Sequence, residues 1–251
     1  MATAMTVATA TTLVEAIGSG VTGLSPGEAV YGYAAEGGAY AEWIALDATK
    51  VAAKPASLSH EEASSLALVG QTAMQAVDAA RIASGQTVLV HGAGGAVGSI
   101  VVSLAISLGA TVIGTASPRD AVRLLSAGMS RLIKRGEPFG DLEEKVDAVI
   151  DTVGGELQIR SFDVLKPGGI LVALSQPPPQ DVAVRRRVTA IMLSTETSTA
   201  HLDALRSQID AGVIVPRLGR RYALTEVARA WRDWAARGTE GKLVIDVHQM
   251  N

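Results

Sequence analysis

The stretch from Thr87 to Gly109 constrains this chain more than any other. Four β-prone residues, Thr87-Val-Leu-Val90, run through His91 into the cluster Gly92-Ala-Gly-Gly-Ala-Val-Gly98. The cluster then opens an uncharged run of helical length that ends at Gly109. A strand, a tight glycine turn and a helix N-terminus in that order place backbone N–H groups and a helix dipole where a phosphate can sit. The spacing is Gly92-x-x-Gly95-x-x-Gly98 and not a strict G-x-G-x-x-G, so the pattern alone is weak. Its context strengthens it. Gly109 stands where a helix C′ glycine belongs, and Ala110–Thr115 supplies a second strand.

Beyond Gly109, strand and helix signals alternate. Strands are expected at Ala110–Thr115, Ser130–Lys134, Val146–Asp151, Gly169–Leu174 and Val188–Leu193, and helices at Arg119–Ala127, Gly155–Leu165 and Thr199–Ala211. With Thr87–His91 these strands form a βαβ series, which predicts an α/β fold built on a doubly wound parallel sheet. Ahead of it, Thr11–Ile17, Ala29–Tyr33 and Ala39–Leu46 read as short strands of a small antiparallel unit whose edges are left open. Ser59 and Glu62 have capping-box spacing at the start of a helix. Gly70-Gln-Thr72 is expected to interrupt that helix before it resumes over Ala73–Ala83. A helix over Thr225–Arg237 and a strand over Lys242–Val247 are expected to return to the front unit. The organisation expected is residues 1–70 with 214–251 in the β unit and 71–213 in the dinucleotide-binding domain.

Composition removes several function classes. The chain has 251 residues, is 48% hydrophobic and carries a net charge of −3, so it is globular and a poor ligand for nucleic acid. Arg185-Arg-Arg187 reads as a strand edge or a solvated loop. There is no cysteine, which excludes disulfides, thiolate catalysis and Cys-ligated zinc. His60, His91, His201 and His248 lack metal-ligand spacing, so no metal site is expected. The glycines within Gly92–Pro118 break that uncharged run into turn, helix and strand, and Met1–Val14 has no basic n-region. Neither stretch reads as a membrane span or signal peptide, and a cytoplasmic location is expected.

The end of the second strand bears on the choice of dinucleotide. An NAD site places Asp or Glu there for the ribose 2′-OH. Thr115-Ala-Ser-Pro-Arg119 offers a hydroxyl and a guanidinium instead, which favours a 2′-phosphate and hence NADP(H). The bland alternative is a solvated Arg119 with Asp120 capping the next helix. Arg135, past the third strand, adds positive charge at the adenosine end. The turns Asp151-Thr-Val-Gly-Gly155 and Leu174-Ser-Gln176 follow strands whose carboxyl ends face the ligand crevice, which puts Thr152, Val153 and Ser175 along it. His91 reads as a hydrogen-bonded structural histidine.

Taken together, Val14–Gly20, Gly27-Glu-Ala-Val-Tyr-Gly32, Gly38-Ala-Tyr-Ala-Glu42, Val69-Gly-Gln-Thr-Ala73, Val88–Gly98, Val149–Gly155 and Gly241-Lys-Leu-Val244 resemble the zinc-free quinone oxidoreductase branch of the medium-chain dehydrogenase/reductases. The resemblance runs from about Leu13 to Val247. It implies a GroES-like β domain with a Rossmann domain, NADPH-dependent reduction of a quinone or activated alkene as small-molecule substrate, and a homodimer. Carried over, Thr72 stands near the nicotinamide, and Gly92, Gly95, Ala96, Val97 and Gly98 lie under the pyrophosphate. Ser117 and Arg119 stand near the 2′-phosphate, and Val153 and Ser175 along the ribose–nicotinamide side.

The chain departs from the family in three places. Family members usually carry a longer segment ahead of Leu13, so the GroES-like domain is expected to be truncated. Ile133-Lys-Arg135 replaces the frequent Ile-Asp-Tyr, and Ala96 replaces a loop glycine, which is tolerable if φ is negative there. The alternative function is therefore a truncated member without reductase activity, serving as a cofactor-binding or interaction protein or catalysing a non-redox step. No proton donor is identified; Tyr31, Tyr33 and Tyr40 read as packing residues. The apolar Val188–Ser194 strand is expected to lie at a sheet edge and to pair with a second copy.

Overall fold

The computed structural model describes residues 9–139, 142, 144–236 and 240–247. His248 and the expected helix end at Arg237 lie outside them, as does nearly all of Met1-Ala-Thr-Ala-Met-Thr-Val-Ala-Thr-Ala10. The chain divides into two compact units, one formed by the described residues of Met1–Gln71 and Glu196–Asn251, the other by Thr72–Thr195.

The first unit opens with three antiparallel strands, β1 (Thr9–Leu13), β2 (Ala29–Tyr33) and β3 (Val51–Ala53), in the order β1-β2-β3. Ala39–Leu46 is not a strand. It follows two consecutive left-handed glycines, Gly37 and Gly38, leaves Trp43 exposed, and pairs with no strand among the described residues. The third strand comes later, after a turn in which Asp47 accepts both the backbone N–H and the hydroxyl of Thr49 at 2.9 and 2.8 Å.

Helix α1 runs unbroken over His60–Ala79. The Ser59–Glu62 capping box forms, with Ser59 N–H donating to Glu62 at 2.9 Å and Glu62 N–H to Ser59 Oγ at 3.2 Å. Gly70 does not interrupt the helix. A Cβ at that position would lie 2.5 Å from Leu205 Cδ1, so the glycine serves a close approach between helices, which sequence cannot distinguish from a breaker.

The unit Thr72–Thr195 holds β4 (Thr87–His91), α2 (Ala96–Ser107), β5 (Thr111–Ala116), α3 (Ala121–Ser126), β6 (Arg131–Lys134), β7 (Val146–Asp151), α4 (Glu156–Ser161), β8 (Leu165–Ala173), α5 (Gln180–Arg186) and β9 (Thr189–Met192). The six strands are parallel in the order β6-β5-β4-β7-β8-β9, the doubly wound Rossmann arrangement whose switch point lies between β4 and β7. Val88–Val90 and Val149–Ile150 are fully buried, as central parallel strands must be. In register His91 stands beside Thr115 and Asp151, and Asp151 beside Ala173. The carboxyl ends of four strands therefore finish at one level.

Helix α5 was not expected, because Gln180–Arg186 is too short to show a helical period. The arginine triplet is its C-terminal end and not a strand edge or loop. Arg185 pairs with Asp181 at 2.7 Å and Arg186 pairs with Asp163, while Arg187 takes the left-handed cap conformation at φ 55°. Cations there also complement the helix dipole.

The first unit is completed by α6 (Thr199–Asp210), β10 (Leu218–Ala223), α7 (Val227–Ala235) and β11 (Lys242–Asp246). Helix α6 belongs here, held by the Tyr31 hydroxyl donating to Leu202 C=O at 2.6 Å and Thr199 donating to Val51 C=O at 2.8 Å. The unanticipated β10 pairs in parallel with β11 as a separate two-stranded sheet and does not join β1–β3. Arg221 on β10 reaches both Glu61 and Asp246, at 2.9 and 2.8 Å. Among the described residues no helix is long and apolar enough to cross a membrane.

Candidate functional site

The glycine loop is built around backbone contacts that exclude side chains. Gly92 has φ +75°, and a Cβ on it would lie 2.3 Å from Thr152 Oγ1. Its N–H donates to Thr115 Oγ1 at 3.3 Å and its carbonyl accepts Gly95 N–H at 2.9 Å. A Cβ on Gly98 would lie 2.2 Å from that same carbonyl oxygen, so the first turn of α2 rests directly on the loop. Gly95 is the N-cap of α2; no side chain caps the helix and its first turn carries no acidic residue. The amides of Ala96, Val97 and Gly98 therefore begin a helix whose positive end is left for an external anion. Ala96 is not among the residues with positive φ, so its methyl group is accommodated.

Sequence reasoning missed Gly94 and the part Asp120 plays behind it. A Cβ on Gly94 would lie 2.4 Å from the Asp120 carboxylate. Asp120 makes no side-chain capping bond. It is buried and paired with Arg123 at 3.0 Å, and Arg123 also reaches the Gly94 carbonyl at 3.4 Å. No sequence spacing marks that arrangement, because the partners come from two different strand–helix turns.

The ends of β5 and β6 form one corner. Arg135 N–H donates to Ala116 C=O at 2.9 Å, which sets Arg135 beside Ser117 and the short turn Pro118–Asp120 that carries Arg119. Ser117 is partly buried, and both arginines are exposed. On the other side of β4, Asp151 is fully buried. Its carboxylate accepts Val153 N–H at 2.9 Å, Gly154 N–H at 2.9 and 3.1 Å, and Gln158 Nε2–H at 3.2 Å. Thr152 donates to His91 C=O at 2.8 Å. Val153, held so, is half exposed and lies against Gly92, while Ser175 Oγ lies against Gly154. Thr72 is placed differently. Its hydroxyl lies 2.8 Å from that of Thr195, which joins it to the segment after β9, whereas Gly92–Gly98 join those after β5 and β7.

His91 is completely buried at the end of β4, packed edge-on against Phe139 at 4.9 Å. Burial lowers its pKa to about 4; the neighbouring Asp151 opposes that shift and Arg160 adds to it. The neutral ring is therefore the native form. An unfolded histidine near 6.5 takes up a proton first as pH falls, so the stability tied to neutral His91 is complete above 6.5 and is lost between 6.5 and about 4. The loss amounts to about 3 kcal/mol. Chemical denaturation at stepped pH should show that loss in the parent and a shallower decline in His91→Phe; parallel curves would contradict it.

Among the described residues no group of three or more His, Cys, Asp or Glu could hold a metal ion. Residues 109–245 match the family model described as zinc-binding dehydrogenase. The chain belongs to that family. Within the zinc-binding dehydrogenases it lies in the quinone oxidoreductase branch of the medium-chain dehydrogenase/reductases. It is 30% identical to a quinone oxidoreductase from Coxiella burnetii, with a TM-score of 0.89 over 96% of this chain and 78% of that one. Against the quinone oxidoreductase from Escherichia coli, solved in complex with NADPH, identity is 28% and TM-score 0.86, covering 95% and 81%. The enoyl reductase CurK gives 25% identity and TM-score 0.85, covering 95% and 78%. Polyketide synthase GfsB from Streptomyces halstedii is 33% identical over 92% of this chain, but the match spans only 4% of that protein.

Proposed function

We propose that this chain is an NADPH-dependent oxidoreductase that passes hydride to an electron-poor carbon of a quinone or of an alkene conjugated to a carbonyl. The observation that carries the reading is the uncapped N-terminus of α2 over Gly92–Gly98 at the switch point of the sheet, with the exposed Arg119 and Arg135 at the adjoining corner. The Asp120 carboxylate beside Gly94 is buried and paired with Arg123, so its charge is offset where a 2′-phosphate would approach. The start of α2 has room for the group: Gly95 and Ala96 are exposed, and a Cβ on Gly95 would meet only the Gly92 carbonyl, at 3.2 Å.

The chain's own part is binding and orientation. Amides of Ala96, Val97 and Gly98 hold the pyrophosphate. Ser117, Arg119 and Arg135 take the 2′-phosphate. Thr152, Val153, Ser175 and Thr72 line the ribose–nicotinamide side, where Val153 offers an apolar face. When bound, NADPH would supply a hydride to an electron-poor carbon of the acceptor, with solvent as the source of the accompanying proton. The quinone oxidoreductase and enoyl reductase relatives are named for acceptors of that chemistry. The reading takes the protein as cytoplasmic and homodimeric, with uncharged β9 at the open edge of the sheet as the strand that pairs with a second copy.

Fluorescence titration with NADPH and NADH, followed by NADPH oxidation with a panel of quinones and enones, tests the reading. Tight NADPH binding with turnover is expected; tight binding without turnover on any acceptor would overturn the reductase and leave a non-redox role. Arg119→Ala should weaken NADPH by about 10-fold or more, the worth of one charge-assisted bond, and leave NADH unchanged. Equal losses for both would remove the 2′-phosphate assignment.

A further inference from the structure

His91 touches no surface where a ligand could sit, yet its two ring nitrogens reach segments that line the glycine loop. Nδ1 lies 3.1 Å from Thr115 Oγ1 and Nε2 lies 2.8 Å from Ser161 Oγ. All three side chains are buried, so each hydrogen must find its partner among protein atoms.

The neighbours decide which nitrogen carries the proton. Ser161 donates its hydroxyl hydrogen to Leu157 C=O, one helical turn back, at 2.7 Å. Its oxygen therefore faces His91 as an acceptor, and Nε2 must be N–H. Thr115 Oγ1 already accepts Gly92 N–H at 3.3 Å. Its own hydrogen has His91 Nδ1 as acceptor, so Nδ1 must be bare. Moving the proton to Nδ1, or adding a second one, leaves the Thr115 hydrogen buried with no acceptor.

We infer that His91 is a positioning residue for the glycine loop, held as its neutral Nε2–H tautomer in the chain Gly92 N–H to Thr115 O–H to His91 to Ser161 O–H to Leu157 C=O. The first link orients the residue whose carbonyl supports α2. The second belongs to β5, which leads into Ser117 and the turn that carries Arg119. The last lies on α4, just beyond the turn that presents Thr152 and Val153. One imidazole thus couples three segments that the proposed dinucleotide would touch. The charged groups facing it are Asp151 on β7 and Arg160 on α4, and they act on the ring in opposite senses. The inference rests on the proposed function for what the loop holds, while the order of the hydrogen bonds rests on geometry alone.

Two measurements test it. In 15N-labelled protein at neutral pH, with the signal assigned by its loss in His91→Phe, the ring should be neutral with hydrogen on Nε2; an Nδ1–H tautomer or an imidazolium would overturn the chain. Thr115→Val keeps the shape of the residue but removes the hydroxyl, and should weaken NADPH binding by about 10-fold and speed exchange of the Gly92 amide. Thr115→Ser should restore both, because it returns the hydroxyl. The double variant His91→Phe/Thr115→Val should be no worse than the weaker single variant, as members of one chain are not additive. Additive losses, or unchanged exchange and affinity in Thr115→Val, would refute the coupling. If the parent binds neither NADPH nor NADH, the proposed function fails on its own, and the tautomer and the Gly92 amide still decide this inference. Should His91→Phe not fold, the Thr115→Val and Thr115→Ser pair carries the test.

Discussion

Gly98→Ala is expected to lower stability by about 2–3 kcal/mol and to weaken NADPH binding by about 100-fold. The added methyl carbon would lie 2.2 Å from Gly92 O, 2.8 Å from Gly92 C and 3.0 Å from Ala93 Cα. All three are backbone atoms, so no flexible side chain can give way, and either α2 or the loop must move. A shift of that size displaces the amides proposed to hold the pyrophosphate. Gly95→Ala is the control, since its methyl group would meet only Gly92 O at 3.2 Å; it should cost well under half as much stability. Urea unfolding of both variants separates the cases. A Gly98→Ala protein as stable as its parent would show that α2 does not rest on the loop as described.

Asp151→Ala is expected to cost about 3–5 kcal/mol. The carboxylate is fully buried and serves Val153 N–H, Gly154 N–H and Gln158 Nε2–H. Removing it takes that acceptor from all three donors, at about 1–3 kcal/mol for each one not rescued; Gln158 Nε2 keeps its bond to Gln176 C=O at 3.0 Å. Gln158 is already short of one bond, because its Oε1 is buried with no partner. Asp151→Asn should recover little, since one of its two positions becomes a donor turned toward other donors. Denaturant midpoints read the effect, and an Asp151→Asn variant with parental stability would show that the turn does not depend on a two-oxygen acceptor. NADPH affinity should fall in parallel, since the same turn presents Thr152 and Val153.

Much of the Rossmann sheet is legible from sequence, for a physical reason. Thr87–His91 and Val146–Asp151 are unbroken β-prone or apolar runs ended by turn residues, which is what burial on both faces of a parallel sheet demands. Ala29–Tyr33 stands out likewise between its turn signals. The misreadings occur where tertiary packing reverses a local rule. Gly70 reads as a helix breaker, yet it is the point where α1 meets Leu205. Ala39–Leu46 alternates as a strand should, yet it pairs with no strand among the described residues. Helix α5 and strand β10 are too short or too charged to announce themselves, and β10 depends on pairing with a segment far along the chain.

The candidate site divides in the same way. The tight glycine turn between β4 and α2 could be read because it is a backbone requirement expressed within a few residues. Asp120 behind Gly94 and the His91 chain could not. Their partners are brought together only by the fold, with His91 and Ser161 separated by 70 positions. Arg119 and Arg135 lie between these extremes. Each was legible as a charge past a strand, but only the hydrogen bond from Arg135 N–H to Ala116 C=O shows that they share a corner.

The carbonyl oxygen of Gly92 has a wider consequence. It accepts the Gly95 amide and it fills the space that a side chain on Gly98 would need, so the three-residue spacing of the glycines is the imprint of a single atom. A lineage that gave up nucleotides altogether would still be obliged to keep that spacing in order to fold. Glycine periodicity is thus a requirement of architecture. The proposed chemistry rests instead on features folding does not require: the N-terminal amides of α2 and the two exposed arginines at the ends of β5 and β6.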